Sequence, residues 1–171
     1  MVARTAQSTA TPADRATPTY LQHDEAQAVC DAVNSLVADA FALYVKTKNY
    51  HWHVTGPHFR DYHLLFDEQA ASILSSVDVL AERVRKIGGT TIRSIAHIGS
   101  LQTIEDDDDD AIPAAEMIRR LIDDNRRMAE RQRGAIEICS RNRDSATESV
   151  LETVLDETER RVWFLFEASR D

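Results

Sequence analysis

From Asp24 onward, apolar residues return at three- and four-residue steps: Ala26, Val29, Val33, Leu36, Val37, Ala40, Phe41 and Tyr44. That period lays one apolar stripe along an amphipathic helix. The helix is expected to run to about Val54 and to stop before Gly56-Pro57. A second helix is expected from Phe59 to Ile87, closing on Gly88-Gly89. Residues 90–111 read as a long connector that ends in the acidic run Glu105 to Asp110, with a short helix over Ser94 to Leu101. Pro113 suits the first turn of a third long helix, which reaches about Cys139. Ser145-Ala-Thr-Glu148 is a capping-box pattern that opens a fourth, ending near Ala168. The pattern therefore predicts an all-α chain, a four-helix bundle with its long connector between helices 2 and 3.

Residues 1–21 lack this period and are rich in Thr, Ala, Ser and Pro, so they read as a flexible tail before a single domain over 22–171. A length of 171 residues with 43% hydrophobic content is enough for one buried core. No apolar run stands out as a membrane span, which needs about 20 residues. Nothing at the N-terminus reads as a secretory signal, and the expected location is the cytoplasm, with association to the nucleoid as an alternative. Cys30 and Cys139 have no CxxC spacing and are expected to be reduced, partly buried thiols. The net charge of −9 changes the picture of partners. Non-specific DNA binding draws its strength from Lys and Arg on phosphates, and the first 21 residues contain no lysine. DNA is a doubtful partner; a cation suits the chain better.

The candidate chemistry lies between His51 and Glu82. His51 ends the first helix, while His63 and Asp67 stand four apart on the second, as do Asp78 and Glu82. Residues at i and i+4 share a helical face, so each pair can hold a cation. Imidazole with carboxylate is a donor set that suits iron. Asp67 and Asp78 are eleven residues apart, about 16 Å along a helix at ~1.5 Å per residue. Metal–ligand bonds of about 2 to 2.5 Å cannot bridge that gap within one chain. Eleven residues is nearly three whole turns, however, so both pairs face one way. A second copy of the helix packed antiparallel would bring one copy's Asp67 to the other's Asp78, crossing near Ala71 to Ser75, where Ala70, Ser72 and Ser76 are also small. A two-fold axis then makes two identical sites.

One string makes the reading specific. His51-Trp-His-Val-Thr-Gly-Pro-His-Phe, His63, Asp67-Glu, Asp78-x-x-Ala-Glu82-Arg and Ile87-Gly-Gly together resemble the signature of the Dps family of miniferritins, over about residues 22–171. Four helices with one long connection are also the ferritin-like arrangement. The resemblance implies a hollow dodecamer with ferroxidase sites at its two-fold interfaces. There Fe(II) is oxidised by hydrogen peroxide or oxygen and the ferric product is stored, with zinc or another divalent ion able to substitute. It implies that His51, His63 and Asp67 come from one subunit and Asp78 and Glu82 from its mate. It suggests Trp52 as an electron relay, and Asp144 and Glu148, with Asp123 and Asp124 nearby, as an acidic pore that admits iron. This chain departs from the pattern at His53, where members more often carry Asn. The Glu-x-x-His pairs of larger ferritins are absent, which argues against a di-iron site inside one bundle.

Plainer roles compete for many of these residues. Asp78 and Glu82 alone, with Arg83 and Arg85 close by, would read as solvated acids. His23, His53, His58 and His97 read as surface or satisfied histidines, and Trp52 and Trp163 as core or interface aromatics. Asp106 to Asp110 reads as a solvated loop. Acids at Asp144 and Glu148 would offset a helix dipole in any case. Arg119 to Arg143 holds eight arginines against four acids, spread round the helix as a salt-bridged surface. Two further functions compete with the iron-storing enzyme: a DNA-coating nucleoid protein with little ferroxidase activity, and a bundle that uses zinc merely to hold its dimer together.

Overall fold

The structure, a computed structural model, describes residues 17–170. Among the described residues five helices follow in order: α1 His23–His53, α2 Phe59–Lys86, α3 Ile95–Leu101, α4 Ala114–Arg141 and α5 Ser145–Ala168. The expected tail over 1–16 lies outside the described residues. Of residues 17–21, expected to belong to that tail, 17–20 are exposed, but Leu21 is buried in the core and the Tyr20 hydroxyl donates to the carbonyl of Arg143.

α1 and α2 form one hairpin and α4 and α5 another, and the hairpins pack through α1 on α4 and α2 on α5. The contact has a seven-residue rhythm. Leu36, Leu43 and Tyr50 on α1 and Phe66, Ile73 and Leu80 on α2 are all fully buried, joined by Ile118, Leu121 and Met128 from α4 and Leu151 and Leu165 from α5. Burial of each such side chain is worth about 1.5–3 kcal/mol. By length and composition α1 also passes as a membrane-crossing helix, contrary to the expectation that no apolar run would stand out. Over half of that stretch is buried inside the bundle, where its apolar residues form the core.

The boundaries have local causes. Gln22 and Glu25 make a capping box at the start of α1. Gly56 has φ 114° in the turn to α2, a value that a side chain disfavours. Just past α2, Gly88 turns the chain at φ 89°, and a Cβ on Gly89 would collide with the Cys30 sulfur. At α5 the cap lies one residue earlier than the box pattern predicts. Asp144, not Ser145, is the N-cap, and its Oδ1 accepts from the Thr147 amide.

The acidic run is not simply solvated. Asp107 is held by the Tyr50 hydroxyl and by Arg120, whose guanidinium also reaches Asp109 and Glu116. Burial pushes the Asp107 carboxyl up, but these donors hold it below the ordinary carboxylate range, while the Tyr50 phenol is pushed well above its own. Both cysteines are free and buried, more deeply than expected. Desolvation raises their thiols, Cys30 to about 11 and Cys139 to about 12, which makes them poor nucleophiles.

Candidate metal centre at the α1–α2 corner

The turn between α1 and α2 folds His51 back over His63. The Nδ1–H of His51 donates to the carbonyl of His63 at 2.7 Å, and the Nδ1–H of His63 donates to the carbonyl of His51 at 2.8 Å. A carbonyl only accepts, so both rings must carry their proton on Nδ1 when neutral. The Nε2 lone pairs are thereby left for a ligand, which is how second-layer bonds prepare imidazole for a metal. The rings stack with centroids 3.8 Å apart, and Phe59 lies 5.1 Å from His63.

Asp67, one turn beyond His63, presents Oδ1 3.9 Å from the Nε2 of His51. The same oxygen accepts from Lys48 at 2.7 Å. That hydrogen bond, with the charge of Lys48, keeps the Asp67 carboxyl below its usual range. Lys48 is the residue that sequence reasoning missed. The available signal was its place one turn before His51, on the same face of α1. Its ammonium also lies 5.7 Å from the ring of Trp52, which is exposed.

The other two expected ligands stand elsewhere. α2 is unbroken from Phe59 to Lys86, so Asp78 and Glu82 lie about three and four turns beyond Asp67; both are exposed, and Glu82 pairs with Lys86 at 3.1 Å. Among the described residues, no three His, Cys, Asp or Glu side chains gather into a metal-holding group. The wider clefts run along α4 and α5 and beneath the acidic loop, with none of His51, His63 or Asp67 in their walls.

The expected pore acids divide. Asp144 is buried, its carboxylate taken up by the Thr147 amide and hydroxyl and by Arg83 at 3.0 Å. A cap needs its acceptor turned into the helix, so Asp144 has no open face to a channel within the subunit. Glu148 is half-buried and makes no such bonds. Asp124 is buried on Lys46 at 2.7 Å, and Asp123 pairs with Arg119. His53 lies exposed, with its Nδ1–H on the Asn49 carbonyl.

The fold and this corner define a ferritin-like protein, and the ferritin-like domain family matches residues 30–169. The DNA protection during starvation protein of Brevibacillus brevis is 32% identical over 81% of this chain and 93% of its own length. DpsC from Streptomyces coelicolor superposes with a TM-score of 0.87 at 28% identity, covering 91% of each chain. Dps from Vibrio cholerae, described as a member of a broad superfamily of ferritin-like diiron-carboxylate proteins, superposes with a TM-score of 0.84 at 25% identity, covering 95% of this chain and all of that one. The chain belongs to the Dps miniferritins, a family concerned with iron storage and protection.

Proposed function

We propose that two copies of this chain complete a ferroxidase site that neither holds alone. His51, His63 and Asp67 of one copy face Asp78 and Glu82 of the other, and Fe(II) is the substrate. The observation that carries this reading is the reciprocal His51–His63 pairing, which leaves both Nε2 lone pairs unused, that of His51 lying 3.9 Å from an exposed, ionised Asp67. Three and four turns along the same face, Asp78 and Glu82 supply the oxygen donors a partner lacks.

Each iron gives up one electron, and two together reduce one peroxide to two waters, consuming two protons and forming no hydroxyl radical. The neutral imidazoles hold Fe(II) without adding charge. The carboxylates favour the more highly charged product and lower the cost of oxidising it. The ferric product passes into the hollow of a twelve-subunit cage, with oxygen as a slower oxidant. Glu148 is the remaining acid of the pore reading. The net charge of −9 supports iron rather than DNA as the partner.

Anaerobic loading with Fe(II) followed by peroxide tests the proposal. A ferric absorbance rise at about one peroxide for every two irons is expected, lost in both His51→Ala and Asp78→Ala. An unchanged rise in either folded variant would remove that residue from the site and sink the reading.

A further inference from the structure

The bundle interior holds a guanidinium without an anion. Arg161, on α5, is only 4% exposed. Its Nε donates to Asn125 Oδ1 at 2.9 Å, one terminal nitrogen to Thr158 Oγ1 at 2.7 Å and the other to Ser72 Oγ at 3.1 Å. All three acceptors are neutral. Among the described residues, no carboxylate approaches Arg161 within ion-pairing distance, although fourteen such pairs form elsewhere. Desolvation pulls its pKa down to about 10, against the attraction of Glu157. A buried charge without a counter-charge is costly, and proteins relieve it by pairing.

The room for a counter-ion adjoins it. A cleft of about 40 Å³ between α2 and α5 adjoins Arg161 and is walled by Leu65, Glu68, Gln69, Ser72, Arg160 and Phe164. One water needs about 10–15 Å³ by the same measure, so the space takes a halide and a water. The donors present suit an anion. Arg161 has five N–H groups and gives three to the protein, which leaves two. Ser72 accepts from Arg161, and its own hydroxyl proton is free to point into the cleft. Arg160, exposed and paired with Glu157 at 3.5 Å, brings a second guanidinium to the wall. Gln69 donates to the Arg161 carbonyl and leaves its buried Oε1 without a partner, an acceptor suited to a water that accompanies the ion. Glu68, also in the wall, repels any anion and most strongly one of higher charge, which leaves a small monovalent ion as the best fit.

We propose that the cleft between α2 and α5 is a binding site for a small monovalent anion of chloride size, held by Arg161, Ser72 and Arg160. The site does not depend on the iron chemistry. It places fixed positive charge in the bundle interior, where larger ferritin-like proteins gather carboxylates around metal.

Chloride-35 NMR on the full-length, metal-free protein reads binding directly. Wild type is expected to broaden the chloride line saturably, and bromide is expected to compete for the same broadening. The broadening is expected to be lost in Arg161→Gln and weakened several-fold in Ser72→Ala, which retains the guanidinium if Arg161→Gln does not fold. Thermal unfolding at constant ionic strength is expected to show a higher Tm in chloride than in gluconate for wild type alone. Equal broadening in wild type and Ser72→Ala, or no saturable broadening in wild type, would overturn the proposal. So would chloride binding seen only in Glu68→Gln, because the native counter-ion would then be Glu68.

Discussion

Lys48 and His51 converge on one carboxylate oxygen: Asp67 Oδ1 lies 2.7 Å from the Lys48 ammonium and 3.9 Å from the His51 Nε2. The lysine is the protein's own cation at the place where a metal would draw on the same oxygen. A metal that takes Asp67 must displace it. Asp67 is more than half exposed, so solvent screens the pair and the displacement costs little.

Lys48→Met is therefore expected to tighten Fe(II) or Zn(II) binding a few-fold at most, as a screened competitor is removed. Anaerobic calorimetry measures it. Weaker binding in the variant would show that Lys48 assists the site rather than competing for it.

A site shared between copies makes a quantitative prediction by mixing. His51→Ala and Asp78→Ala subunits, each inactive alone, are unfolded together and reassembled. Random pairing makes about half the dimers mixed, and each mixed dimer holds one intact site of two, so about a quarter of wild-type activity is expected to return. No recovery, with mixed particles demonstrated by mass, would place all five ligands' work within single subunits or remove it from this site.

The acidic loop is expected to carry a pH-dependent share of stability. Asp107 is held ionised by Tyr50 and Arg120, so its folded pKa is depressed. The stabilisation is present above the unfolded value of about 3.9 and fades as pH falls through the lower folded one. Asp107→Ala also strands the buried Tyr50 hydroxyl and is expected to cost about 1–3 kcal/mol at pH 7. Urea unfolding at pH 7 and pH 3 compares the two proteins. A difference that persists undiminished at the lower pH would show that the charge is not the cause.

Asp144 separates its two roles by substitution. Asn also caps helices, whereas Ala does not. Asp144→Ala is expected to lose about 3 kcal/mol, from the cap and from the unpaired Arg83, and Asp144→Asn about half of that. Chemical denaturation gives both values. Iron uptake that slows equally in the two variants, at unchanged stability, would return Asp144 to the pore.

DNA retention is expected to be weak. A chain of net charge −9 offers phosphates little to bind, and a gel shift at moderate salt should show free DNA. Tight retention there would reveal a basic surface that the charge balance conceals.

The helices were legible because their apolar residues repeat at steps that only a helix turns into a face. α2 ends where Gly88-Gly89 announces it, and α3 occupies Ile95–Leu101 within the expected stretch. The partners of polar residues were not legible in this way. Asp107 reads as one of five solvated aspartates until the fold brings Tyr50, 57 residues away, over it. Asp144 looks like a spare acid beside a Ser-x-x-Glu box until Arg83 arrives from α2. Lys48 could have been placed near His51 from helical spacing alone, but its hold on Asp67 depends on the corner between α1 and α2. Arg161 carries no local mark of burial, since its neighbours Arg160 and Glu159 are exposed. Long-range pairing, not local pattern, decides all four.

The two histidines at the corner are each braced by the main chain of the other. Main-chain oxygens are present whatever side chains drift around them, so the aim of these rings survives substitution at Val54, Thr55, Pro57 or His58 provided the turn keeps its length. The corner thus carries its own splint. Variation in the turn can retune access and charge, while the orientation of both nitrogens is lost when a histidine is replaced or the turn changes length.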